Sequence, residues 1–510
     1  MKSNEILEKL HGIDRDCRHL EKISALLQWD QEACLPPAGT EERAGQLALI
    51  QGLAHERFTA PETGRLLGEL GSVSANPRGD ESLPPLERDF LRVTRRNYDK
   101  AVKLPVEFVA SCARAESLSQ AAWVEARRNN DFALFLPHLK KMLEAARKKA
   151  EYWGYRNGEG LTLYDGLLDI YEPDMKAADI TRVFAPLRER LSILLERIAA
   201  KGQERPPFLR AEFAPEVQAR YNQALKESLG FDSRRGRLDV SAHPFTTSLG
   251  ANDIRITTRY DRNDPLSGIF STIHESGHAF YEMGFPAEIA GSCLAEGASM
   301  AVHESQSRFW ENVIGRSRSF WKAQLPALKA FFPEQLAMTG LGSFYRAVNQ
   351  VRPSLIRVEA DELSYSLHII LRFELEKELF AGELAAEDLP AAWRKRMKEF
   401  IGIENETDAE GVLQDVHWSM GAFGYFPSYA LGNLYGLQIR RKLAEDIPDY
   451  ETRLAEGSYG AVHGWLKDRV YAWGRRLSPR ELLFKITGEQ LSAEPFLGYI
   501  ESKYTELYGE

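Results

Sequence analysis

Apolar residues recur every three or four positions along most of this chain, which is the spacing of amphipathic α-helices. Residues 3–30 show it first, with Ser3 placed to cap the helix. The same spacing returns in residues 86–104, 105–128, 131–153 and 178–201, and Asp131 is the predicted cap of the fourth of these five helices. The pattern therefore predicts a mostly α fold.

The length and composition are typical of one large folded unit. The chain has 510 residues, of which 44% are hydrophobic, so it can bury a large core. It contains no internal repeat of solenoid length and no long low-complexity linker. We predict a single domain over residues 1–510, with an N-terminal helical lobe at about residues 1–210 and a core at about residues 240–435.

Charge and hydropathy argue against several classes of protein. The formal net charge of −9 argues against a surface for nucleic acid or anionic membrane. No apolar run approaches the length of a transmembrane helix, and the polar start has no apolar signal core. The four cysteines, Cys17, Cys34, Cys112 and Cys293, are far apart and form no CxxC pair, which is typical of buried free thiols in a reducing compartment. These features predict a soluble, cytoplasmic protein.

One stretch departs from the helical spacing. Residues 237–265, RLDVSAHPFTTSLGANDIRITTRYDRNDP, alternate polar with apolar or β-branched residues, and SLGAND at 248–253 interrupts them. This pattern predicts a β-hairpin and hence a small sheet. An edge strand of such a sheet can hold an extended peptide by main-chain hydrogen bonds.

The sheet runs directly into TIHESGHAF, where His274 and His278 stand four residues apart. The sequence predicts a helix over residues 264–284, from an Asp-Pro start to a glycine end, so both imidazoles lie on one helical face, as two ligands of one ion require. Glu275 is rotated to the side, where its carboxylate can take a proton from an attacking water. The alternative is a partly exposed helix that carries two histidines without a metal.

A third ligand is expected in the next helical stretch, SCLAEGASMAVHESQSRFWENVIG. It offers Glu296 and Glu304, of which we favour Glu304. Two imidazoles, one carboxylate and one open position form the layout of a catalytic zinc site. His303 is predicted to support the site rather than bind the metal, and Asp415 is a further residue able to orient a ligand histidine.

A series of motifs, taken in order, resembles the carboxypeptidase Taq family of metallocarboxypeptidases over nearly the whole chain. The motifs are LLQWDQEACLPPAGTEERAGQ at 26–46, HPF at 243–245, DIRIT at 253–257, HESGH at 274–278, HESQ at 303–306, IRVEAD at 356–361, GVLQDVHW at 411–418 and GAFGYFPSYALGNLY at 421–435. In the first motif, Cys34-Leu35 departs from the methionine that the family usually carries. Each motif alone is a weak signal, and their common order carries the resemblance.

The resemblance implies a large helical peptidase fold with a deep active-site groove and a small β-sheet beside the zinc helix, similar to neurolysin and angiotensin-converting enzyme. It implies the release of single amino acids from the C-terminus of peptides. It also implies one Zn²⁺ per subunit, with Co²⁺ or Mn²⁺ able to substitute, and usually a homodimer. Peptides with a free C-terminus are then the expected partners.

A carboxypeptidase has to hold a free α-carboxylate, and a planar arginine is its natural partner. Arg357 is our first choice and Arg352 an outside candidate. An i,i+4 helix pair of Arg357 with Asp361 is the structural alternative. Gln414 is a further predicted contact to the substrate terminus.

The resemblance to related helical peptidases also implies donors for the oxyanion. These are His417 and Tyr425, with Tyr429 in reserve; core packing is the alternative interpretation of this aromatic segment. His243 and Arg255, in the predicted sheet, are expected to help close the groove.

Three functions remain open at this point. The leading one is a zinc metallocarboxypeptidase in which Glu275 activates the attacking water. An oligoendopeptidase or dipeptidase on the same fold is the alternative, and Arg357 together with the HPF and DIRIT motifs favours exopeptidase action. A non-catalytic helical scaffold is the third, and it predicts no stoichiometric metal.

Overall fold

The computed structural model describes residues 3–157, 160–202 and 204–509. Helix accounts for 68% of the described residues, and three short strands form one sheet there, so the prediction of a mostly α fold is confirmed. Among the helices of these residues, none combines the length and the apolar character that a membrane span needs.

The first helices precede the sheet in the chain. They are α1 (Ser3–Ala33), α2 (Thr40–Thr59), α3 (Pro61–Glu69), α4 (Pro85–Val102), α5 (Val106–Asn129), α6 (Phe132–Trp153), α7 (Leu163–Tyr171), α8 (Ala177–Ala199) and α9 (Pro215–Ser228). The five helices predicted from apolar spacing are α1, α4, α5, α6 and α8. Asp131 caps α6, as predicted, because its side chain accepts a hydrogen bond from the backbone N–H of Leu134.

The strands are β1 (Gly236–Val240), β2 (Thr246–Gly250) and β3 (Asp253–Thr258), in the spatial order β1-β3-β2. Strands β2 and β3 pair antiparallel, which confirms the predicted hairpin. Strand β1 pairs parallel to β3, with Leu238 opposite Ile256. The sequence did not indicate this second pairing, because alternation marks a strand but not its partner.

Helix α10 (Pro265–Gly284) follows the sheet at once, and the side chain of Asp264 caps it by accepting a hydrogen bond from Leu266. This confirms the predicted metal-motif helix. The later helices are α11 (Met300–Arg308), α12 (Arg318–Phe331), α13 (Pro333–Leu336), α14 (Leu341–Val348), α15 (Tyr365–Ala381), α16 (Leu389–Ile401), α17 (Pro427–Asp446), α18 (Tyr450–Ala455), α19 (Gly460–Arg469), α20 (Pro479–Thr487) and α21 (Glu494–Tyr508). A π-helical segment, Phe309–Ile314, continues α11.

Buried apolar side chains form two clusters. The larger one extends from α5 to α21 and includes α10, α11, α15 and α17. The smaller one joins α1, α3 and α4 to the loop that follows α10. Helix α2 contributes no buried side chain among those described, and Leu49 on it is 64% exposed. The lobe at residues 1–210 and the core at 240–435 stay predictions.

The four cysteines are free thiols, as the sequence predicts. Cys17, Cys112 and Cys293 are buried, whereas Cys34 is exposed, contrary to the expectation that all four are buried. Burial raises the pKa of the Cys17 thiol to about 11, so this thiol stays protonated at neutral pH.

Candidate active site

His274 and His278 on α10 converge with Glu304 on α11. Nε2 of His274 lies 3.8 Å from Oε2 of Glu304, and Nε2 of His278 lies 3.4 Å from the same oxygen. All three ligand atoms lie within 4.8 Å of one another. Ligand atoms about 2.0–2.1 Å from a tetrahedral zinc ion lie roughly 3.3 Å apart, so these residues fit a single divalent metal.

Two glycines allow the three helices to approach closely enough for this arrangement. A Cβ atom on Gly277 would lie 2.6 Å from the carbonyl oxygen of Gln306, where α10 crosses α11. A Cβ atom on Gly432 would lie 2.6 Å from Cγ of Glu304, where α17 crosses α11. Any side chain at either position would therefore push the carboxylate away from the two imidazoles.

Glu304 presents only one oxygen to the histidines. Its Oε1 accepts a hydrogen bond from Nε of Arg308 at 2.7 Å, while Oε2 faces the imidazoles. Burial alone would raise the pKa of Glu304, but Arg308 and the histidines outweigh it and hold the pKa well below its usual range. Burial lowers the pKa of His278 to about 3, so at neutral pH a neutral imidazole faces a carboxylate, as metal ligation requires.

The two imidazoles are held at their Nδ1 atoms by different partners. Nδ1 of His274 lies 2.8 Å from Oε2 of Glu311. Nδ1 of His278 lies 2.6 Å from Nδ1 of His303, and Nε2 of His303 lies 2.8 Å from Oε1 of Glu282. Because Nε2 of each candidate ligand faces Glu304, Nδ1 of each carries the proton and donates. His278 thus donates to His303, and His303 donates to the Glu282 carboxylate.

The sequence analysis missed Glu311 and Glu282 as supports. Both stand at helical spacing from the motif, since Glu282 is one turn after His278 and Glu311 is two turns after Glu304. That spacing was the available signal. His303 does contact His278, as expected of a supporting residue.

Glu296, the other candidate ligand, lies outside this group. Its Oε2 is 2.6 Å from Nη1 of Arg475, and its Oε1 pairs with Arg18 of α1. Partial burial would raise the pKa of Glu296, but these two cations hold it below its usual range. Glu296 therefore links α1 to the chain after α19.

Glu275 is buried beside the histidines, with 6% of its surface exposed. The hydroxyl of Thr246 on β2 donates to Oε2 of Glu275 at 2.5 Å. Burial raises the pKa of Glu275, and His274 and Thr246 reduce that rise without cancelling it. The small sheet thus contacts the candidate base directly.

Arg357, on a 3₁₀ turn before α15, does not pair with Asp361. Its Nε and Nη2 donate to Oδ1 of Asp415 at 3.0 and 2.8 Å, and its Nη1 donates to the hydroxyl of Tyr365 at 3.1 Å. Asp361 instead accepts the backbone N–H of Arg352. Asp415 accordingly orients Arg357, and the expectation that it can orient a ligand histidine was wrong.

Gln414 contacts the backbone around Arg357. Its amide nitrogen donates to the carbonyl oxygens of Leu355 and Glu410, at 3.1 and 2.7 Å. Its amide oxygen accepts the backbone N–H of Arg357 at 2.9 Å. Both amide hydrogens are used in these contacts, whereas the amide oxygen can accept a second hydrogen bond. The predicted contact of Gln414 to the substrate terminus stays a prediction.

His417, Tyr425 and Tyr429 form one aromatic group beside Arg357. Nε2 of His417 lies 3.3 Å from the hydroxyl of Tyr429, and the ring centroids of His417 and Tyr425 are 5.4 Å apart. Burial lowers the pKa of His417 to about 4 and raises that of Tyr425 to about 12. At neutral pH both groups are uncharged, and each carries a proton to donate.

His243 and Arg255 are not part of this group. His243 is exposed. Arg255 pairs with Asp253 at 2.9 Å, and its guanidinium lies 4.4 Å from the ring centroid of Trp29 on α1. Ile256 pairs with Thr246, whose side chain contacts Glu275. Because neighbouring residues of a strand point to opposite faces, Arg255 points to the face of the sheet away from Glu275. Their role in closing a groove stays a prediction, as does the groove itself.

The family pattern of the carboxypeptidase Taq (M32) metallopeptidases matches residues 9–504. The chain belongs to the M32 family. Thermostable carboxypeptidase 1 of Thermus thermophilus is 42% identical over 509 residues, which cover 98% of this chain and 99% of that protein. Carboxypeptidase 1 of Bacillus subtilis is 37% identical over 505 residues, 96% of each chain.

The fold of this M32 chain agrees with a solved member of the family. The crystal structure of an M32 carboxypeptidase from Deinococcus radiodurans superimposes with a TM-score of 0.94 at 40% identity, covering 99% of this chain and 100% of that one. The chain is therefore a metal-dependent carboxypeptidase, and the predicted family, fold class and type of reaction are confirmed.

Proposed function

We propose that this M32 carboxypeptidase releases single residues from peptides with a free C-terminus, using one Zn²⁺ held by His274, His278 and Glu304. The observation that supports this is the convergence of three ligand atoms next to Glu275, a buried carboxylate outside the ligand set. A bound zinc ion supplies a Lewis acid, which polarises the scissile carbonyl and acidifies the attacking water.

Glu275 is the general base in this proposal. It takes a proton from the attacking water and passes it to the leaving amine, and its raised pKa suits both steps. The hydroxyl of Thr246 fixes the carboxylate while this happens. His417 and Tyr425 donate to the oxyanion as charge develops on the carbonyl oxygen, with Tyr429 holding His417 in place.

Arg357 binds the terminal carboxylate of the peptide. Its Nε, Nη1 and Nη2 each donate once to Asp415 or Tyr365, so one N–H on each Nη atom remains for a carboxylate. A planar guanidinium fixed in this way can bind the carboxylate with both nitrogens. We further propose a cytoplasmic homodimer, which the family resemblance supports.

Four peptides of one sequence, with each end free or blocked, test the proposal. Amidation of the C-terminus should reduce cleavage sharply, whereas acetylation of the N-terminus should have little effect. Equal cleavage of free and amidated peptides at internal bonds would refute the proposal and favour the oligoendopeptidase. Metal analysis of the same preparation should find one zinc per chain, and its absence would favour the scaffold.

A further inference from the structure

Asp415 stands between two buried guanidinium groups. Its Oδ1 accepts two hydrogen bonds from Arg357, and its Oδ2 accepts one from Nε of Arg372 at 2.7 Å, with Nη2 of Arg372 at 2.5 Å. Arg372 lies on α15, and its side chain is 0% exposed. One carboxylate therefore faces two permanent positive charges.

Arg372 is enclosed by aromatic rings. Its guanidinium lies 4.6 Å from the ring centroid of Trp393 and 5.4 Å from that of Phe426. Its Nη1 donates to the carbonyl oxygen of His368 at 2.8 Å. Removing such a charge from water is costly unless it is paired, so a buried arginine that shares its counter-ion needs an explanation.

The other titratable groups nearby do not balance the second charge. Burial lowers the pKa of both His368 and His417, which are therefore neutral at pH 7. Glu376 is one turn from Arg372 on α15. Burial raises its pKa to about 7 although Arg372 opposes the rise, so this carboxyl is about half ionised at pH 7 and offsets the second charge only in part. Its carboxylate oxygens accept hydrogen bonds elsewhere, from Tyr164, Trp418 and Gly424. The group of Arg357, Asp415 and Arg372 thus carries one excess positive charge.

We infer that Arg372 is a positioning residue that makes this site selective for peptides ending in a free carboxylate. Arg372 balances Asp415, so Arg357 keeps its charge for the substrate while Asp415 still fixes its orientation. The terminal carboxylate is then the second anion of a group with two cations. This inference rests on the proposed role of Arg357.

The neutral replacement Arg372→Met removes the balance. Arg357 and Asp415 then form a neutral pair, so an arriving carboxylate would give the group a net negative charge. A residue that merely fills the core would alter the cleavage of free and amidated peptides alike, because both occupy the same groove. The ratio of kcat/KM for a free peptide to that for its amide therefore separates the two roles.

The experiment compares that ratio in wild type, Arg372→Met, Arg372→Gln, Arg372→Lys and the control Lys503→Met. In the control, another buried cation is removed from its pair with Glu362. Both neutral variants should raise KM for the free peptide on the order of tenfold, leave kcat and amide cleavage near wild type, and so reduce the ratio. Arg372→Lys should keep most of the wild-type preference for the free peptide. Lys503→Met should lower the melting temperature but leave the ratio of kcat/KM for the free peptide to that for its amide unchanged.

A second measurement does not depend on turnover. Calorimetry should show that an N-acetyl amino acid binds wild type more tightly than its amide does, and that Arg372→Gln loses most of this difference. A folded neutral variant with the wild-type ratio and the wild-type difference in binding would overturn the inference. A wild type that ignores amidation would instead refute the proposed role of Arg357, and the inference with it.

Discussion

Oε2 of Glu311 accepts hydrogen bonds from Nδ1 of His274 at 2.8 Å and from Nη1 of Arg308 at 3.1 Å. The same Arg308 also holds Oε1 of Glu304 at 2.7 Å. One guanidinium thus sets the position of a candidate carboxylate ligand and of the carboxylate that orients a candidate imidazole ligand.

Glu311→Gln should weaken zinc binding about 10- to 100-fold, because the amide orients His274 without the negative charge that strengthens it as a ligand. Competition with a chromophoric chelator measures the change. Glu374→Gln is the matched control, since Glu374 pairs with Arg188 away from the site. An unchanged zinc affinity in Glu311→Gln would contradict the role assigned to this contact.

Glu275→Gln should keep zinc and lose most of its turnover, by about 10²–10⁴-fold in kcat, because the amide cannot take the proton of the attacking water. The measurements are metal content and kcat on one free peptide. Near-normal turnover with bound metal would show that another group is the base.

Alanine at His274, His278 or Glu304 should abolish stoichiometric zinc, since each replacement leaves only two of the three protein ligands. Glu296→Ala is the control on the same chain segment, because Glu296 pairs with Arg18 and Arg475 instead. It should keep one zinc per chain. Loss of zinc in Glu296→Ala but not in Glu304→Ala would make Glu296, and not Glu304, the third ligand.

Glu172 predicts a pH dependence of stability. Burial raises the pKa of this carboxyl from 4.5 to about 7, and its Oε1 accepts hydrogen bonds from the backbone N–H of Ala301 and the hydroxyl of Ser428. A carboxyl group whose pKa is higher in the folded than in the unfolded state stabilises the fold at pH values below its unfolded-state pKa. This contribution is lost as the pH rises through the folded-state pKa. The loss between about pH 4.5 and pH 8 is at most about 3 kcal/mol.

Glu172→Gln imitates the protonated acid and keeps the Oε1 acceptor. It should raise the melting temperature relative to wild type at pH 8 and change it little at pH 5. Thermal unfolding at the two pH values measures the difference. A variant that is less stable than wild type at pH 8 would mean that the carboxylate is the form the fold prefers.

The homodimer is tested by sedimentation. At micromolar concentration the protein should sediment with twice the mass of one chain. The exposed apolar side chains of α2, including Leu49, give a surface on which an aspartate substitution can be tried for dissociation. A monomer at every concentration would refute the dimer and leave the catalytic proposal intact.

The helices and the three converging side chains were predictable because the signals are local. Apolar spacing marks a helix, and a four-residue spacing places His274 and His278 on one face before any tertiary structure is known. Glu304 could be preferred from its position in HESQ, and the structure brings it to the two histidines. The pairing of β1 with β3 could not be predicted, because no local pattern names a strand's partner.

The contacts of Asp415 with Arg357 and Arg372 could not be predicted from the sequence for a related reason. Arg357 and Asp415 lie on separate turns 58 positions apart, and only the fold brings them together. The alternative pair of Arg357 with Asp361 had the right spacing for a helix, but Arg357 lies on a 3₁₀ turn that ends before Asp361. Arg372 sits in HIILRFELE, where helical spacing indicates core and gives no sign of a charged partner.

The run from Glu304 to Glu311 changes pitch, because Met300–Arg308 is α-helical and Phe309–Ile314 is π-helical. A π turn takes up one residue more than an α turn. Deletion of Phe309 or Trp310 would let the helix return to regular pitch and would rotate Glu311 by about 100° about the axis, away from His274. Substitutions along this run should therefore be tolerated more readily in evolution than insertions or deletions. A related sequence with a one-residue gap here should orient its equivalent of His274 by a residue other than Glu311.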